Sequence, residues 1–280
     1  MARAAILTLL LAAAGILLAL PVTQELFGDP EALRRAVLWG LPLAAMVASF
    51  ALFPRLLRPS EVVAGRPGQR LLLLATCAVA FLIDQSFLLV GFFARWATFA
   101  FGESGGGTRP LGVTALWTLP ACLVLGIWGW ERALRGAVYT GWRRRLPAPA
   151  ALALSIATGA LLALPVLLPG GEIPDAAYFA ATLTAVLCRE LSFALLFRNG
   201  GGLLVAGLYR GVLYFVEAFV VTDWYGLFFP AYNYVAGGTV FYMVRAACAL
   251  LAAGVVVWVT QGSPVLSIER VEKGTRTNTD

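Results

Sequence analysis

Apolar residues run along this chain in eight long blocks, at about 4–20, 36–53, 71–94, 111–130, 149–169, 176–197, 203–221 and 235–260. Each approaches or exceeds the roughly 20 residues that a helix needs to cross the hydrocarbon layer. The first block follows Arg3 and ends in Leu18-Ala19-Leu20-Pro21 without a small-x-small cleavage site, so it is expected to stay as helix one, an uncleaved signal anchor. Punctuation falls between the blocks. Pro21, Pro54, Pro110 and Pro147 sit near their ends, Gly105-Gly106-Gly107 marks an outer loop, and Gly200-Gly201-Gly202 marks a tight inner turn. The pattern predicts an all-α fold, a polytopic transmembrane bundle of about eight helices. Residues 1–148 form four helices, 149–260 a C-terminal four-helix core, and 261–280 a polar cytoplasmic tail.

Composition agrees with the pattern. The 280 residues are 60% hydrophobic and 13% charged, against about 25% charged in soluble domains. The chain reads as an integral membrane protein whose first partner is the lipid bilayer. Histidine is absent, which removes Ser-His-Asp hydrolysis, His-ligated zinc, His-ligated haem and histidine proton shuttles. No cofactor and no metal are expected. Cys77, Cys122, Cys188 and Cys248 all fall inside apolar blocks without a C-x-x-C, and read as small core residues.

Charge sets orientation. With the N-terminus inside, the inner segments hold fourteen basic residues and the outer segments four, Arg34, Arg35, Arg95 and Arg109. The inner set includes Arg132, Arg135, Arg143, Arg144 and Arg145, placed in the connection after the fourth block. Both termini are expected in the cytoplasm, because basic residues concentrate in cytoplasmic loops. The same bias accounts for the net charge of +6 without nucleic acid as a partner. The arginine and alanine bias fits a GC-rich genome and a multi-pass protein of a bacterial inner membrane. The outer loop from Asp223 to Tyr234 carries an aromatic cluster suited to the headgroup level, with a lid over a binding site as the alternative.

Six charges remain inside the blocks: Asp84, Arg189, Glu190, Arg210, Glu217 and Arg245. An isolated charge at mid-bilayer costs at least ~2.5–3.5 kcal/mol, so the six are expected to pair as an intramembrane polar cluster of net charge zero. At 1.5 Å rise per residue five of them lie near one plane, with Glu217 about 10 Å nearer the outside. Arg189 and Glu190 are adjacent, about 100° apart around a helix, and so face different neighbours. Gln85, Ser86 and Ser192 add polar groups at that depth, and interhelical hydrogen bonding is their expected role.

The run Arg189-Glu190-Leu191-Ser192-Phe193-Ala194, followed by Phe215-Val216-Glu217-Ala218-Phe219 and a last block bearing Arg245, resembles the CAAX protease and bacteriocin-processing (CPBP) family of intramembrane glutamic proteases. That family carries E-E-x-x-F-R, F-x-x-x-H and H-x-x-x-N/D on successive helices of a four-helix core. The resemblance implies such a core here, and makes Glu190 the best catalytic candidate if the protein is an enzyme. The sequence places Arg189 at the first glutamate and Phe219 at a histidine, which implies a proteolytic site lost or rebuilt, with Arg189 in a salt bridge. The reading is of a non-proteolytic membrane protein whose buried charges organise the bundle and serve a membrane-protein or lipid partner. Two alternatives stand beside it. One is a transporter or permease using intramembrane carboxylates. The other is a membrane enzyme, either a divergent protease of that family or one acting on lipid-linked substrates, with Glu190 as base.

Overall fold

The computed structural model describes residues 2–20, 23, 39–54, 67–95, 97–98, 111–167, 176–219, 233–234 and 238–262. Within them the chain is all-helical and runs in seven helical segments: α1 (Ala2–Ala19), α2 (Leu41–Leu52), α3 (Pro67–Phe93), α4 (111–143), α5 (Ala148–Leu162, with a further turn Leu164–Leu167), α6 (176–219) and α7 (Gly238–Gly262). Leucine and alanine, strong helix formers, fill the interiors. The prolines at the first turns of α2 and α5 sit where their missing N–H costs nothing, whereas Pro120 lies inside α4. Among the described residues four stretches are long and apolar enough to cross a membrane, Ala2–Ala19, Pro67–Phe93, Ala176–Val216 and Val240–Gln261, with mean hydropathies of 2.2, 2.0, 1.6 and 2.1. Their outward faces are apolar too: Leu71, Leu82, Phe93, Leu251 and Trp258 are each at least 65% exposed. A surface so rich in large apolar side chains is compatible with lipid.

Seven segments stand where the sequence gives eight blocks, because the blocks at 176–197 and 203–221 belong to one stretch. That stretch is broken. Its arms, α6a (Ala176–Leu196) and α6b (Gly202–Phe219), meet in a short wide turn, Phe197–Gly201, where Asn199 and Gly200 leave helical geometry. Arg210 on α6b touches Glu190 on α6a, and the Phe193 and Tyr209 rings lie 5.3 Å apart. Twenty residues of straight helix would separate such a pair by about 30 Å, so the arms fold back as an antiparallel hairpin. Glycine is needed at the reversal. Gly200 has φ +98°, and a Cβ there would come within 2.6 Å of the Gln69 amide, whose Nε2 donates to the Asn199 carbonyl at 2.7 Å.

Two apolar clusters organise the packing. One joins α1, α2, α4 and α5 around Leu7, Leu41, Trp130, Leu134, Val138 and Leu162, and the other joins α3, α6 and α7 around Leu73, Phe193, Leu196, Tyr209 and Val256. The seam between them is unusually close. A Cβ on Gly126 of α4 would stand 2.5 Å from the Gly207 carbonyl oxygen, and one on Gly211 would stand 2.7 Å from Leu123 Cα. The Gly207-x-x-x-Gly211 spacing thus lets α6b lie backbone against backbone on α4. Over Leu125–Tyr139, directly beside this contact, α4 widens to π-type turns. A two-residue antiparallel ladder, β1 (Ala97–Thr98) on β2 (Asn233–Tyr234), ties the chain after α3 to the chain before α7. Gly105–Gly107, the rest of the aromatic loop and residues 263–280 lie outside the described residues.

Candidate functional site

Four charged side chains close into a ring at the seam. Arg210 of α6b donates from Nε to Glu131 Oε1 at 2.6 Å, and its Nη2 lies 2.8 Å from Glu190 Oε1 and 2.9 Å from Oε2. Arg135 of α4 donates from Nη2 to Glu190 Oε2 and to the Glu190 carbonyl, both at 2.7 Å. A looser ion pair, Arg135 Nε to Glu131 Oε2 at 3.7 Å, completes the circuit one helical turn along α4. All four side chains are buried, and their charges sum to zero. Phe193 forms the floor, with the Arg210 guanidinium 4.2 Å above its ring centroid. Gly159 of α5 forms a wall: a Cβ there would collide with the Glu190 carboxylate. Ser155, two helix-face positions away and fully buried, binds α5 to α4 through the Leu134 carbonyl at 2.9 Å.

The neighbouring residue points elsewhere. Arg189 reaches Asp84 of α3 through a two-point contact, Nε to Oδ1 at 3.2 Å and Nη2 to Oδ2 at 2.8 Å, and Gln85 donates to the same Oδ2 at 2.8 Å. Asp84 is fully buried. The 100° between Arg189 and Glu190 therefore sends one charge to α3 and the other to α4 and α6b, so these two residues belong to separate ion-paired centres among the described residues. Arg245 of α7 lies over Phe87 with 5.6 Å to the centroid. Glu217 is in the last turns of α6b, and its side chain is outside the described residues. Ser86 donates to the Ile83 carbonyl and meets Cys248 Sγ of α7 at 3.3 Å, whereas Ser192 donates back to the Cys188 carbonyl of its own helix. Ser192 therefore makes no interhelical bond through that proton. The four cysteines are free thiols, three of them buried.

Two members of the ring, Glu131 and Arg135, follow the fourth apolar block, where the sequence places an inner loop; with Arg132 they lie instead inside α4 at 1% exposure or less. The helix does not end at Trp130 but runs to residue 143, because Ala133, Leu134, Ala137, Val138 and Tyr139 continue its apolar face. Glu131 and Arg135 at i and i+4 on that continued face were the available signal. Removing the two arginines from the inner loops leaves twelve basic residues there against four outside, so the bias keeps its sign. A small cavity lies apart from the ring, lined by Trp39, Cys122, Trp130 and Tyr214 among others.

The arrangement is a buried, neutral circuit of ion pairs that joins α4 to both arms of α6. Ion pairs in a low-dielectric interior gain little over well-packed apolar groups, yet breaking one by removing a single partner costs about 3–5 kcal/mol. The chain matches no protein-family model and no curated protein sequence.

Proposed function

We propose that this chain is a multi-pass protein of a bacterial inner membrane, crossing eight times with both termini in the cytoplasm. On this reading α2, α4, α5 and the two arms of α6 are crossings alongside α1, α3 and α7, and the antiparallel α6 hairpin supplies the even number that the loop charges require. Its buried charges are structural. They latch the α6 hairpin to α4 and α5, and the bundle so fixed is a non-proteolytic scaffold for a protein or lipid partner.

The observation that carries this reading is the engagement of Glu190. Both of its carboxylate oxygens lie within 2.9 Å of guanidinium nitrogens, and α5 backbone at Gly159 closes the remaining side. A carboxylate acting as a general base or proton carrier needs access to substrate or water and a freely exchangeable proton. Two arginines occupy both oxygens of Glu190 instead, which favours a latch over the transporter and enzyme readings.

Glu190→Gln separates the possibilities. As a latch, Glu190 makes the variant unfold at lower temperature in detergent and accumulate poorly in membranes. A variant of native stability and yield that had lost ion flux in proteoliposomes, or cleavage of a membrane peptide, would overturn the reading.

A further inference from the structure

Arg132 differs from the other buried arginines of α4 and α6. Arg135, Arg189 and Arg210 each face a carboxylate within 3 Å. Among the described residues Arg132, 1% exposed, faces none: Nη2 donates to the Phe53 carbonyl at 2.9 Å, the guanidinium stacks 3.7 Å from the Phe50 centroid, and Nε and Nη1 have no described hydrogen-bond partner. The ring and the Asp84–Arg189 pair are each neutral within themselves, so neither supplies a counter-charge. A charge buried without a partner is strongly disfavoured, and a neutral carbonyl does not cancel it.

Its surroundings show what would. The head lies at the C-terminal end of α2, where Phe53 precedes Pro54, Arg55 and Arg58, so on the orientation above it is at the inner edge of the hydrocarbon layer. Its aliphatic stem carries it there from α4, as long basic side chains do at membrane boundaries. The cover on its face is thin: Phe50, which stacks on the guanidinium, is itself 42% exposed. A guanidinium whose Nε and Nη1 protons are unused keeps strong charge-assisted donors for phosphate oxygens on two of its edges.

We propose that Arg132 is a binding site for a phosphate group at the inner headgroup level, either the phosphodiester of an anionic phospholipid or free phosphate. The site rests on the membrane reading and orientation above, and it gives that reading a chemical class of partner.

The test uses the full chain in dodecyl maltoside, with thermal unfolding followed after addition of phosphatidylglycerol, of phosphatidylcholine, or of inorganic phosphate. Phosphatidylglycerol is expected to raise the unfolding temperature of the parent protein, and Arg132→Gln, which keeps a donor for Phe53, is expected to abolish the increase. Arg132→Lys keeps the charge without the planar set of guanidinium donors and should retain only part of it. An Arg132-dependent rise with inorganic phosphate alone supports the site and assigns it to free phosphate. An equal response in the parent and Arg132→Gln, or no response to either phosphate source, overturns the proposal. Alkaline-carbonate extraction of the parent from membranes tests the underlying membrane reading separately, because a protein released by that wash is not membrane-spanning whatever its lipid response.

Discussion

Replacing Arg210 with leucine removes the arginine that makes close contacts, all under 3 Å, to both glutamates of the ring. Three nitrogen–oxygen contacts at 2.6, 2.8 and 2.9 Å disappear, as does the contact with the Phe193 ring. Hydrogen bonds between membrane helices average about 0.6 kcal/mol each, so their loss alone would come to about 2 kcal/mol. The larger effect is charge. The ring passes from neutral to −1, with Glu131 and Glu190 facing Arg135 alone, and an uncompensated buried charge brings the cost to about 3–5 kcal/mol. For a chain of this size 1 kcal/mol moves the midpoint by about 2 °C, so a drop of about 6–10 °C is expected. The buried thiols of Cys77, Cys122 and Cys248 provide the readout, since a thiol-reactive fluorophore labels them as the bundle opens. A midpoint within about 1 °C of the parent, well below the shift calculated from the broken ion pairs, would show that the ring carries no such strain.

Other expectations follow from the same geometry. Gly159→Ala places a methyl against the Glu190 carboxylate and should cost about 1–3 kcal/mol by overpacking, read in the same thiol assay, although alanine is the better helix former. Gly207→Leu meets Ile127 Cα, where a Cβ would stand 2.5 Å away, and should separate α6b from α4, with loss of membrane accumulation measured by immunoblot. Gly200→Ala at φ +98° should destabilise the hairpin by at least about 1 kcal/mol from backbone strain, and Gln69→Ala in the same background should relieve only the steric part. Alkaline phosphatase fused within 105–107 should be active, and the same enzyme fused after Arg145 should be inactive; the reverse pattern would refute the orientation.

Much of the site was legible from one physical rule, that charges in apolar blocks must find partners. That rule selected Asp84, Arg189, Glu190 and Arg210, and their adjacency and depth anticipated that Arg189 and Glu190 would face different helices. It missed Glu131 and Arg135 because three charges within five residues after an apolar block look like the start of a cytoplasmic loop, and the positive-inside rule rewards that reading. The apolar positions from Ala133 to Tyr139 carried the opposing signal, a helix continuing past its charges. The close approach of Gly207 and Gly211 to α4 was written in their four-residue spacing, but spacing alone does not say which helix comes near. The Gly200 reversal was read from sequence as a turn. Its anchoring by Gln69 of α3, 130 positions away, depends on tertiary contact.

The central claim is that the ring acts as one neutral unit, and a double-mutant cycle on Glu190→Gln and Arg210→Leu tests it most directly. Each single change leaves the ring charged, whereas the pair together leaves Glu131 and Arg135 to balance each other across their existing 3.7 Å contact. The account predicts that the double variant is more stable than the sum of the single losses implies, with a coupling of at least about 2 kcal/mol, within the range seen for directly linked groups. Additivity within about 0.5 kcal/mol would contradict it, because independent sites behave that way and a latch does not.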